Sequence, residues 1–533
     1  MIPAAANMAR RWTIALASGF GVVTALFAYV VVRWPDNFFA DDSYFYFQVA
    51  WNIAKGRGST FNNVIPTNGY HPLWMLVCVL IFKILPARAA AVHGIGAAIA
   101  AIDAGALFLL GRVMVRTAPQ MWWTAFVLYM PFCFLSQLGT EGALSGFFLA
   151  ALVFATIDFC TNPDGKRGFL FALCGALAVL SRLDNIFIVS FIFLAVFIAA
   201  PEASRSRVRR ILSYCIPVYV VLWGAYVESN VFWFGTIQPI SGMLKAHPHG
   251  ESSHFTSPPH VAQLGLAIII LCVPILARFR RDTFFKVVEL PFAIGVMFHA
   301  AYILLVMSNE TRWTWYYTSW ILLSSILLSR VLSLLLSGRP DFVANSLATT
   351  AVVCLFVVWM RVSVNKFAHY DAAADGATYK QNLDRRLNFH TVLAFDKPGR
   401  MAYYTDVQVI ALDGLMGDLK FQQDLANEGI AAFDAKIHAD GFVGPPMPLD
   451  ANEKAQFCDQ IFLSAVRFHC VPEGPGKWTV DSVEVFARLT GTSAGSLPLA
   501  GNALAWNEPG VVAVWRLPEV TLPETLSTGT VKP

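Results

Sequence analysis

The chain has 533 residues, of which 56% are hydrophobic and 14% are charged. Because an ordinary soluble domain carries about 25% charged residues, this composition excludes a single soluble core and favours a protein built into a bilayer. The formal net charge of +4 is small and scattered along the chain, so it gives no support to a nucleic-acid partner.

The first apolar run extends from about Trp12 to Val32. A signal peptide has an apolar stretch of roughly 7–15 residues and a small-residue cleavage site, whereas this run is longer and is followed by Arg33-Trp34-Pro35. We therefore expect a retained membrane span. Further apolar segments follow at 71–85, 91–111, 120–138, 142–160, 168–181, 186–200, 211–233, 261–278, 288–307, 314–336 and 345–363.

Basic clusters predict how these segments are oriented, because Lys and Arg are retained on the cytoplasmic side. The clusters between Arg10 and Arg339 all fall on one side only if one early segment fails to cross. Segment 71–85 is short and opens with His71-Pro72, so we predict a broken or re-entrant element there. The sequence thus predicts an α-helical polytopic membrane protein with about 11 spans, its N-terminus inside and its C-terminal part outside.

Two adjacent carboxylates, Asp41 and Asp42, stand in the first outer loop, 34–70. The aromatic residues that follow them, up to Gln48, are typical of a helix lying at the membrane interface. Adjacent carboxylates repel each other and lose water at a membrane surface, so the pKa of one of them should rise. Such a group can accept a proton from a hydroxyl or hold a cation that binds phosphate. The alternative is a solvated turn in which an Asp caps a helix.

Four further residues stand at the edges of apolar segments. His71 can donate to a phosphate or polarise a hydroxyl, or it can simply cap the next helix. Glu141 lies between two spans, where charge is costly and usually has a purpose; the alternative is an exposed loop residue. Arg182 and Asp184 occupy a break between two apolar runs, where they can pair with each other or Arg182 can clamp a phosphate.

Two later segments bring cations to the same predicted side. Lys245 lies in the loop 234–260 with His247, His249 and His254, whose spacing lacks the fixed pattern of a zinc site. Arg312 precedes Trp315, Tyr316 and Tyr317, whose rings can stack on a sugar or form an ordinary interfacial belt. The sequence has no Walker-type glycine loop and no Gly-x-Ser-x-Gly elbow, so it gives no support to ATP hydrolysis or to a serine hydrolase.

After residue 363 the chain becomes polar, and short β-like runs alternate with helical stretches. We predict a soluble α/β domain, 364–533, on the outer side. Cys458 and Cys470 could form a disulfide in that oxidising compartment, or they could be two reduced core cysteines. The predicted strands are Met401–Thr405, Val407–Leu412, Val483–Leu489 and Val511–Leu517.

Taken in chain order, these motifs resemble those of the integral-membrane C-type (GT-C) glycosyltransferases, most of all the bacterial branch that includes the arabinofuranosyltransferases. The resemblance begins with Asp41-Asp42-Ser-Tyr-Phe, Gly56-x-Gly58, Asn62 and Gly69-Tyr-x-Pro72-Leu-Trp74. It covers most of the chain, because it continues through Leu138–Glu141, Ser181–Asp184, Phe234–Lys245 and Tyr403–Leu415.

The resemblance implies that residues 1–363 form a transmembrane catalytic domain in a bacterial inner membrane. Its expected reaction moves a single sugar, arabinofuranose as the best match, from a polyprenyl-phosphate donor to a cell-envelope glycan or glycoprotein. It implies that Asp41 activates the acceptor hydroxyl, with Asp42 beside it as the second catalytic carboxylate. The resemblance assigns no definite cofactor. A divalent cation such as Mg, Mn or Ca, if one is bound, would be held by Asp41, Asp42 and Glu141.

The resemblance also assigns roles to the basic and acidic residues farther along. Donor or phosphate contacts are expected from His71, Arg182, Lys245 and Arg312. Acceptor-side contacts are expected from Glu141 and Asp184. The remaining partners are the membrane lipids, and no nucleic acid is expected.

Two other function classes fit the same features. A lipid-linked-sugar transporter or flippase also carries ionisable residues within the membrane. Secondary transporters, however, often show two related halves, which this chain lacks. A catalytically inactive scaffold whose outer domain binds a partner is the third class, and the intact pair Asp41 and Asp42 counts against it.

Overall fold

The structure is a computed structural model, and it describes residues 3–119, 121–136, 139–245, 258–278, 282–307, 314–336, 341–368, 379–394, 398–412, 415–424, 436–444, 499–504 and 511–516. The chain packs as two compact units. The first comprises Met1–Ala40, His71–Ser229 and Ala246–Tyr370, and the second comprises Asp41–Tyr70, Asn230–Lys245 and Asp371–Pro533. The second unit thus gathers two loop segments with the C-terminal residues, and the sequence-based boundary at residue 363 stays a prediction.

Helices dominate the described part of the chain, as its composition predicts. They are α1 (Pro3–Arg33), α2 (Asp41–Ala54), α3 (Pro72–Ile84), α4 (Arg88–Thr117), α5 (Thr124–Ser136), α6 (Gly142–Thr161), α7 (Gly165–Ser181), α8 (Ile186–Ala199), α9 (Arg205–Phe234), α10 (Ile240–Lys245), α11 (His260–Ala277), α12 (Leu290–Leu305), α13 (Thr318–Leu335), α14 (Asp341–Ala368) and α15 (Pro398–Tyr404).

Six helical segments of the described residues are long and apolar enough to cross a membrane: Arg88–Thr117, Gly142–Thr161, Glu202–Phe234, His260–Ala277, Phe285–Leu305 and Thr314–Leu335. Shorter apolar helices occur at Ser18–Arg33, Pro72–Ile84, Thr124–Cys133, Leu183–Ala199 and Ser346–Leu355. The helix α3 has 13 residues, so it extends about 20 Å and is shorter than a hydrocarbon core of about 30 Å. The chain is therefore helical and rich in membrane-type segments, while the count of 11 crossings and their orientation stay predictions.

A buried ionic network in the first unit surrounds Arg330 on α13. Its guanidinium contacts the carboxylate of Asp282, donates from Nε to Glu289 Oε1 at 3.2 Å, and donates from Nη1 to the carbonyl oxygen of Thr117 at 2.8 Å. Glu289 ends a π-helical turn, Phe285–Glu289, and is fully buried. Arg330 therefore joins α4, α13 and the segment before α12. It also belongs to the basic clusters from which the sequence predicts the orientation of the spans.

The second unit contains a mixed five-stranded sheet in the order β2-β1-β3-β5-β4. Its strands are β1 (Thr391–Ala394), β2 (Gln408–Ala411), β3 (Gly441–Gly444), β4 (Leu499–Leu504) and β5 (Val511–Arg516). The strand β1 pairs in parallel with β2 and β3, and β5 pairs antiparallel with β3 and β4. All four residues of β1 are buried, as expected for a central strand.

Two of the four predicted strands match the described sheet. Val407–Leu412 contains β2, and Val511–Leu517 contains β5. The prediction of a strand at Met401–Thr405 is wrong, because these residues continue the helix α15. Local β propensity at the tyrosines is overridden by tertiary contacts that satisfy the start of this helix, described below. Val483–Leu489, Cys458 and Cys470 lie outside the described residues.

We expect Arg330→Met to lower the free energy of unfolding by about 3–5 kcal/mol, because it leaves the buried Glu289 carboxylate without its cation. The measurement is equilibrium unfolding in mixed micelles. Arg112→Met is the matched control, since Arg112 also lies on a membrane-type helix but is exposed. An equal loss of stability in the two variants would contradict a structural role for the network.

Candidate functional site

Asp41 is the first residue of α2, and its carboxylate caps the N-terminus of α15. The N–H of Gly399 donates to Oδ2 at 3.0 Å, and the N–H of Arg400 donates to Oδ1 at 2.9 Å. Both are N–H groups that a helix start leaves without an intrahelical partner, and Pro398 at the first position has no N–H to satisfy. We call this contact the Asp41 cap (Asp41, Gly399, Arg400). Asp41 thus caps a helix, as the alternative interpretation proposed, but it is half-buried and not in a solvated turn, and the helix lies some 360 residues farther along the chain.

The Asp41 cap is closely packed. A Cβ atom at Gly399 would lie 2.4 Å from the carbonyl oxygen of Asp41, so no other residue fits there without displacing the backbone. The Arg400 side chain is fully buried, with its guanidinium 4.5 Å above the ring of Tyr44. Tyr403 and Tyr404 lie against the same ring, at centroid distances of 5.5 and 5.7 Å. The tyrosine rings and the Arg400 guanidinium therefore pack around the start of α15, where the carboxylate is held in one orientation.

Burial raises the pKa of the Asp41 carboxyl from 3.8 to about 6. The hydrogen bond from the Arg400 N–H opposes this rise, the neighbouring Asp42 carboxylate adds to it, and the Arg400 guanidinium and the Gly399 N–H lower the pKa again. The sequence-based expectation of a raised pKa in this pair is consistent with that direction. A carboxylate with a pKa near 6 is ionised at neutral pH and is more basic than an ordinary Asp.

The other predicted residues of the second unit are Asp42 and Lys245. Asp42 lies in the first turn of α2 and is partly exposed. Lys245 is the last residue of α10 and is also partly exposed. Arg312 lies outside the described residues.

In the first unit, Arg182 and Asp184 sit in a break between two apolar helices. The helix α7 ends at Ser181 because Arg182 adopts an extended backbone, and a single turn of 3-10 helix, Leu183–Asn185, leads into α8. The side-chain amide of Asn185 donates to Ser145 Oγ and to the carbonyl oxygen of Ala178, both at 2.8 Å. These bonds fix the break and direct its charged side chains into the unit.

Arg182 is paired with two carboxylates. Its Nη1 donates to Glu141 Oε1 at 2.7 Å, and its Nε and Nη2 donate to Asp184 Oδ2 at 3.1 and 2.8 Å. The ring of Tyr316 lies 4.3 Å from the guanidinium. Arg182 is 3% exposed and Glu141 is 4% exposed. Arg182 and Asp184 therefore pair with each other, which is one of the two alternatives that their sequence context left open, and Glu141 is buried.

Two residues that the sequence analysis missed complete this group. His299 on α12 lies with Nε2 3.0 Å from Asp184 Oδ2, and Trp320 Nε1 donates to His299 Nδ1 at 3.1 Å. An indole N–H can only donate, so His299 Nδ1 must accept and the ring proton sits on Nε2, where it faces Asp184. A histidine inside a membrane-type segment was the available signal, because ionisable residues there are rare and usually functional.

His71 approaches the same group from the start of α3. The backbone N–H of Leu183 donates to His71 Nδ1 at 3.3 Å, and His71 Nε2 lies 3.6 Å from Glu141 Oε1. Its side chain makes no capping hydrogen bond to its own helix. We call His71, Glu141, Arg182, Asp184 and His299 the Arg182 cluster. It brings together four of the predicted site residues.

A metal centre was predicted only conditionally, from Asp41, Asp42 and Glu141. Among the residues that the structure describes, no group of three or more His, Cys, Asp or Glu side chains is arranged to hold a metal ion. Both carboxylate oxygens of Asp41 instead accept backbone N–H groups. A divalent cation therefore stays a sequence-based prediction.

We expect Trp320→Phe to leave the His299 ring proton on Nε2, because Asp184 Oδ2 can only accept it, and to shift the Nδ1 signal, because the indole N–H that Nδ1 accepts is removed. The measurement is nitrogen NMR on protein labelled with [15N]histidine, with His299→Gln used to assign the signal. Both proteins should show a proton on Nε2, and only the Nδ1 signal should move in the variant. A wild-type signal with the proton on Nδ1 would contradict the described contact.

Solved structures resemble this chain at low sequence identity. No protein-family model matches the chain, and no curated protein matches it. Among solved structures, the archaeal oligosaccharyltransferase AglB from Archaeoglobus fulgidus, in complex with an inhibitory peptide and a dolichol-phosphate, superposes with a TM-score of 0.48 at 13% identity. A structure of the Archaeoglobus fulgidus oligosaccharyltransferase tethered to an acceptor peptide gives a TM-score of 0.49 at 12% identity. Each covers 81% of this chain and 69% of the other. A likeness at this level assigns neither a fold nor a reaction to this chain.

Proposed function

We propose that the protein is a membrane glycosyltransferase that uses a polyprenyl-phosphate sugar, with Asp41 as the general base. The observation that carries the proposal is the Asp41 carboxylate, which two backbone N–H groups hold in one orientation and which is ionised at neutral pH. The ordered motifs that resemble the GT-C glycosyltransferases support the same reaction, and so does the large share of membrane-type helices.

In the proposed reaction, the acceptor hydroxyl oxygen forms a bond to the anomeric carbon of the donor sugar. The bond from that carbon to the phosphate oxygen breaks, and its electron pair leaves with the polyprenyl phosphate. The proton of the acceptor hydroxyl passes to Asp41. Each carboxylate oxygen of Asp41 uses one lone pair on a backbone N–H and keeps another for the proton.

Negative charge develops on the departing phosphate, so cationic groups that meet it lower the barrier. Lys245 is proposed for this role, together with Arg312. Arg182 makes three hydrogen bonds to Glu141 and Asp184, which leaves two of its five N–H groups outside these bonds. Because two carboxylates offset its charge, Arg182 is proposed to orient the donor through directed hydrogen bonds more than through net attraction.

The sugar, the acceptor, the location and the roles of the remaining residues are part of the same proposal. The sugar is proposed to be arabinofuranose, the acceptor a cell-envelope glycan or glycoprotein, and the location a bacterial inner membrane with the reaction on the outer side. His71 is proposed to contact the donor, and Glu141 and Asp184 to contact the acceptor side. The transporter or flippase is disfavoured, because the sequence lacks the two related halves that secondary transporters often show.

We expect Asp41→Asn to reduce sugar transfer by roughly 10²–10⁴-fold, the usual contribution of a general base. The measurement is transfer from a panel of radiolabelled polyprenyl-phosphate sugars, arabinofuranose included, to membrane-extracted acceptors. Asp424→Asn is the matched control, since Asp424 forms a surface pair with Lys420 in the same unit. Equal transfer by wild type and Asp41→Asn would remove Asp41 from the mechanism.

We expect kcat/KM to fall about tenfold per pH unit below pH 6 and to be level above it, because only the ionised Asp41 accepts a proton. Asp42→Asn removes a neighbouring negative charge, so it should lower the pKa of Asp41 and move the profile to lower pH. A profile that stays in place, or moves to higher pH, would contradict the coupling between the two carboxylates.

A further inference from the structure

Asn68 joins three segments of the second unit. It is 3% exposed. Its Nδ2 donates to Asn230 Oδ1 at 3.3 Å and to Thr236 Oγ1 at 3.1 Å. Its Oδ1 accepts the backbone N–H of Ile240 at 3.0 Å. One buried amide therefore connects the loop before His71 with the end of α9 and with the start of α10.

The orientation of this amide follows from the chemistry of its partners. The backbone N–H of Ile240 can only donate, so the atom that faces it must be the oxygen of Asn68. The nitrogen then faces oxygen acceptors, which include the carbonyl oxygen of Gln238 at 3.5 Å, and all these contacts are satisfied at once. An aspartate, a leucine or an alanine at this position could not make the same set of bonds.

The loop that carries Asn68 is itself well fixed. Ser59 Oγ donates to the carbonyl oxygen of Thr67 at 2.6 Å, and the N–H of Thr67 donates back to the carbonyl oxygen of Ser59 at 2.8 Å. A Cβ atom at Gly69 would lie 2.0 Å from the carbonyl oxygen of Leu415, so only glycine allows this approach. Asn68 is therefore held on both sides and can act as an anchor.

The segment that it anchors carries Lys245. The helix α10 has six residues, and a helix this short is not stable by itself. Ile240 and Leu244 form its small buried core, with Met243 and Leu415 packed against them. The N–H of Ile240 is one of the donors that a helix start leaves open, so the Asn68 amide supplies the cap of α10 from a distant part of the sequence.

We propose that Asn68 is a positioning residue for Lys245, and that it acts through the cap of α10 to hold the Lys245 ammonium where it meets the donor phosphate. This inference rests on the proposed function for the role of Lys245. The contact between Asn68 and α10 is independent of that function. Both ends of the Asn68 amide bond within the protein, so its loss should act on sugar transfer through Lys245 and not through the Asp41 base.

The first arm of the test does not require the protein to transfer sugar. Hydrogen exchange of the peptide that spans 236–245 is compared in wild type, Asn68→Ala and Thr236→Val. Asn68→Ala removes the bond to Ile240 together with the other side-chain bonds of Asn68 and should speed exchange at Ile240 by roughly tenfold or more, while Thr236→Val keeps the cap and should have a smaller effect. Unchanged exchange in Asn68→Ala overturns the proposal.

The second arm is a double-mutant cycle on kcat/KM for a polyprenyl-phosphate sugar. Asn68→Ala and Lys245→Met should each lower kcat/KM by roughly tenfold, because Lys245 meets the phosphate on which negative charge develops and Asn68 holds Lys245 in place. The double variant should lower it no further than about twofold beyond Lys245→Met, because both changes remove the same interaction. A merely structural role of Asn68 predicts additive effects, and additivity overturns the proposal.

The two arms separate this inference from the proposed function. If the wild type transfers no sugar from any donor, the proposed function fails and the role of Lys245 falls with it. In that case the hydrogen-exchange arm still decides whether Asn68 holds α10. If transfer occurs and Lys245→Met leaves kcat/KM for the donor unchanged, the proposed function stands and the positioning role of Asn68 is overturned.

Discussion

Two backbone hydrogen bonds to the Asp41 carboxylate are the contact on which the second unit depends. They join the start of α2 to the start of α15, whose N–H groups would otherwise have no partner. The same bonds orient the carboxylate for proton transfer. Burial and Asp42 raise its pKa, while the two N–H donors and Arg400 lower it, and the balance near 6 leaves a base that is ionised at neutral pH. The same carboxylate thus caps the helix α15 and, in the proposed reaction, accepts the proton of the acceptor hydroxyl.

The first unit also holds charged side chains in fixed orientations, here in apolar surroundings. A guanidinium and two carboxylates are buried between membrane-type helices, where an unpaired charge would be costly. The break between α7 and α8 makes this possible. Arg182 and Asp184 are two residues apart in the sequence, and the break directs both side chains into the unit. Trp320 and His299 then fix the orientation of Asp184. Donor recognition in the proposed function relies on the direction of these groups, since the two carboxylates leave no net positive charge beside the guanidinium.

The sequence was sufficient where the physical signal is local. Apolar runs predicted the helices, and the break at Arg182 and Asp184 was visible as an interruption between two of them. It could not show contacts between distant segments. Nothing near Asp41 predicts that Gly399 and Arg400 bind it, and nothing near Met401–Thr405 predicts a helix, because the cap of that helix comes from the first loop. His299 was recognisable as an ionisable residue in a membrane-type segment, but its partner on another helix was not.

The central claim is that Asp41 accepts the acceptor proton, and chemical rescue tests it most directly. Asp41→Ala removes the carboxylate and leaves space at the start of α15. Sugar transfer by this variant should be low and should rise with added formate, because a free carboxylate can take the place of the missing base. The size of the rescue should increase with the basicity of a series of small carboxylates. Folded Asp41→Ala protein that binds donor but gains no transfer from any of them would show that Asp41 acts only as the cap of α15.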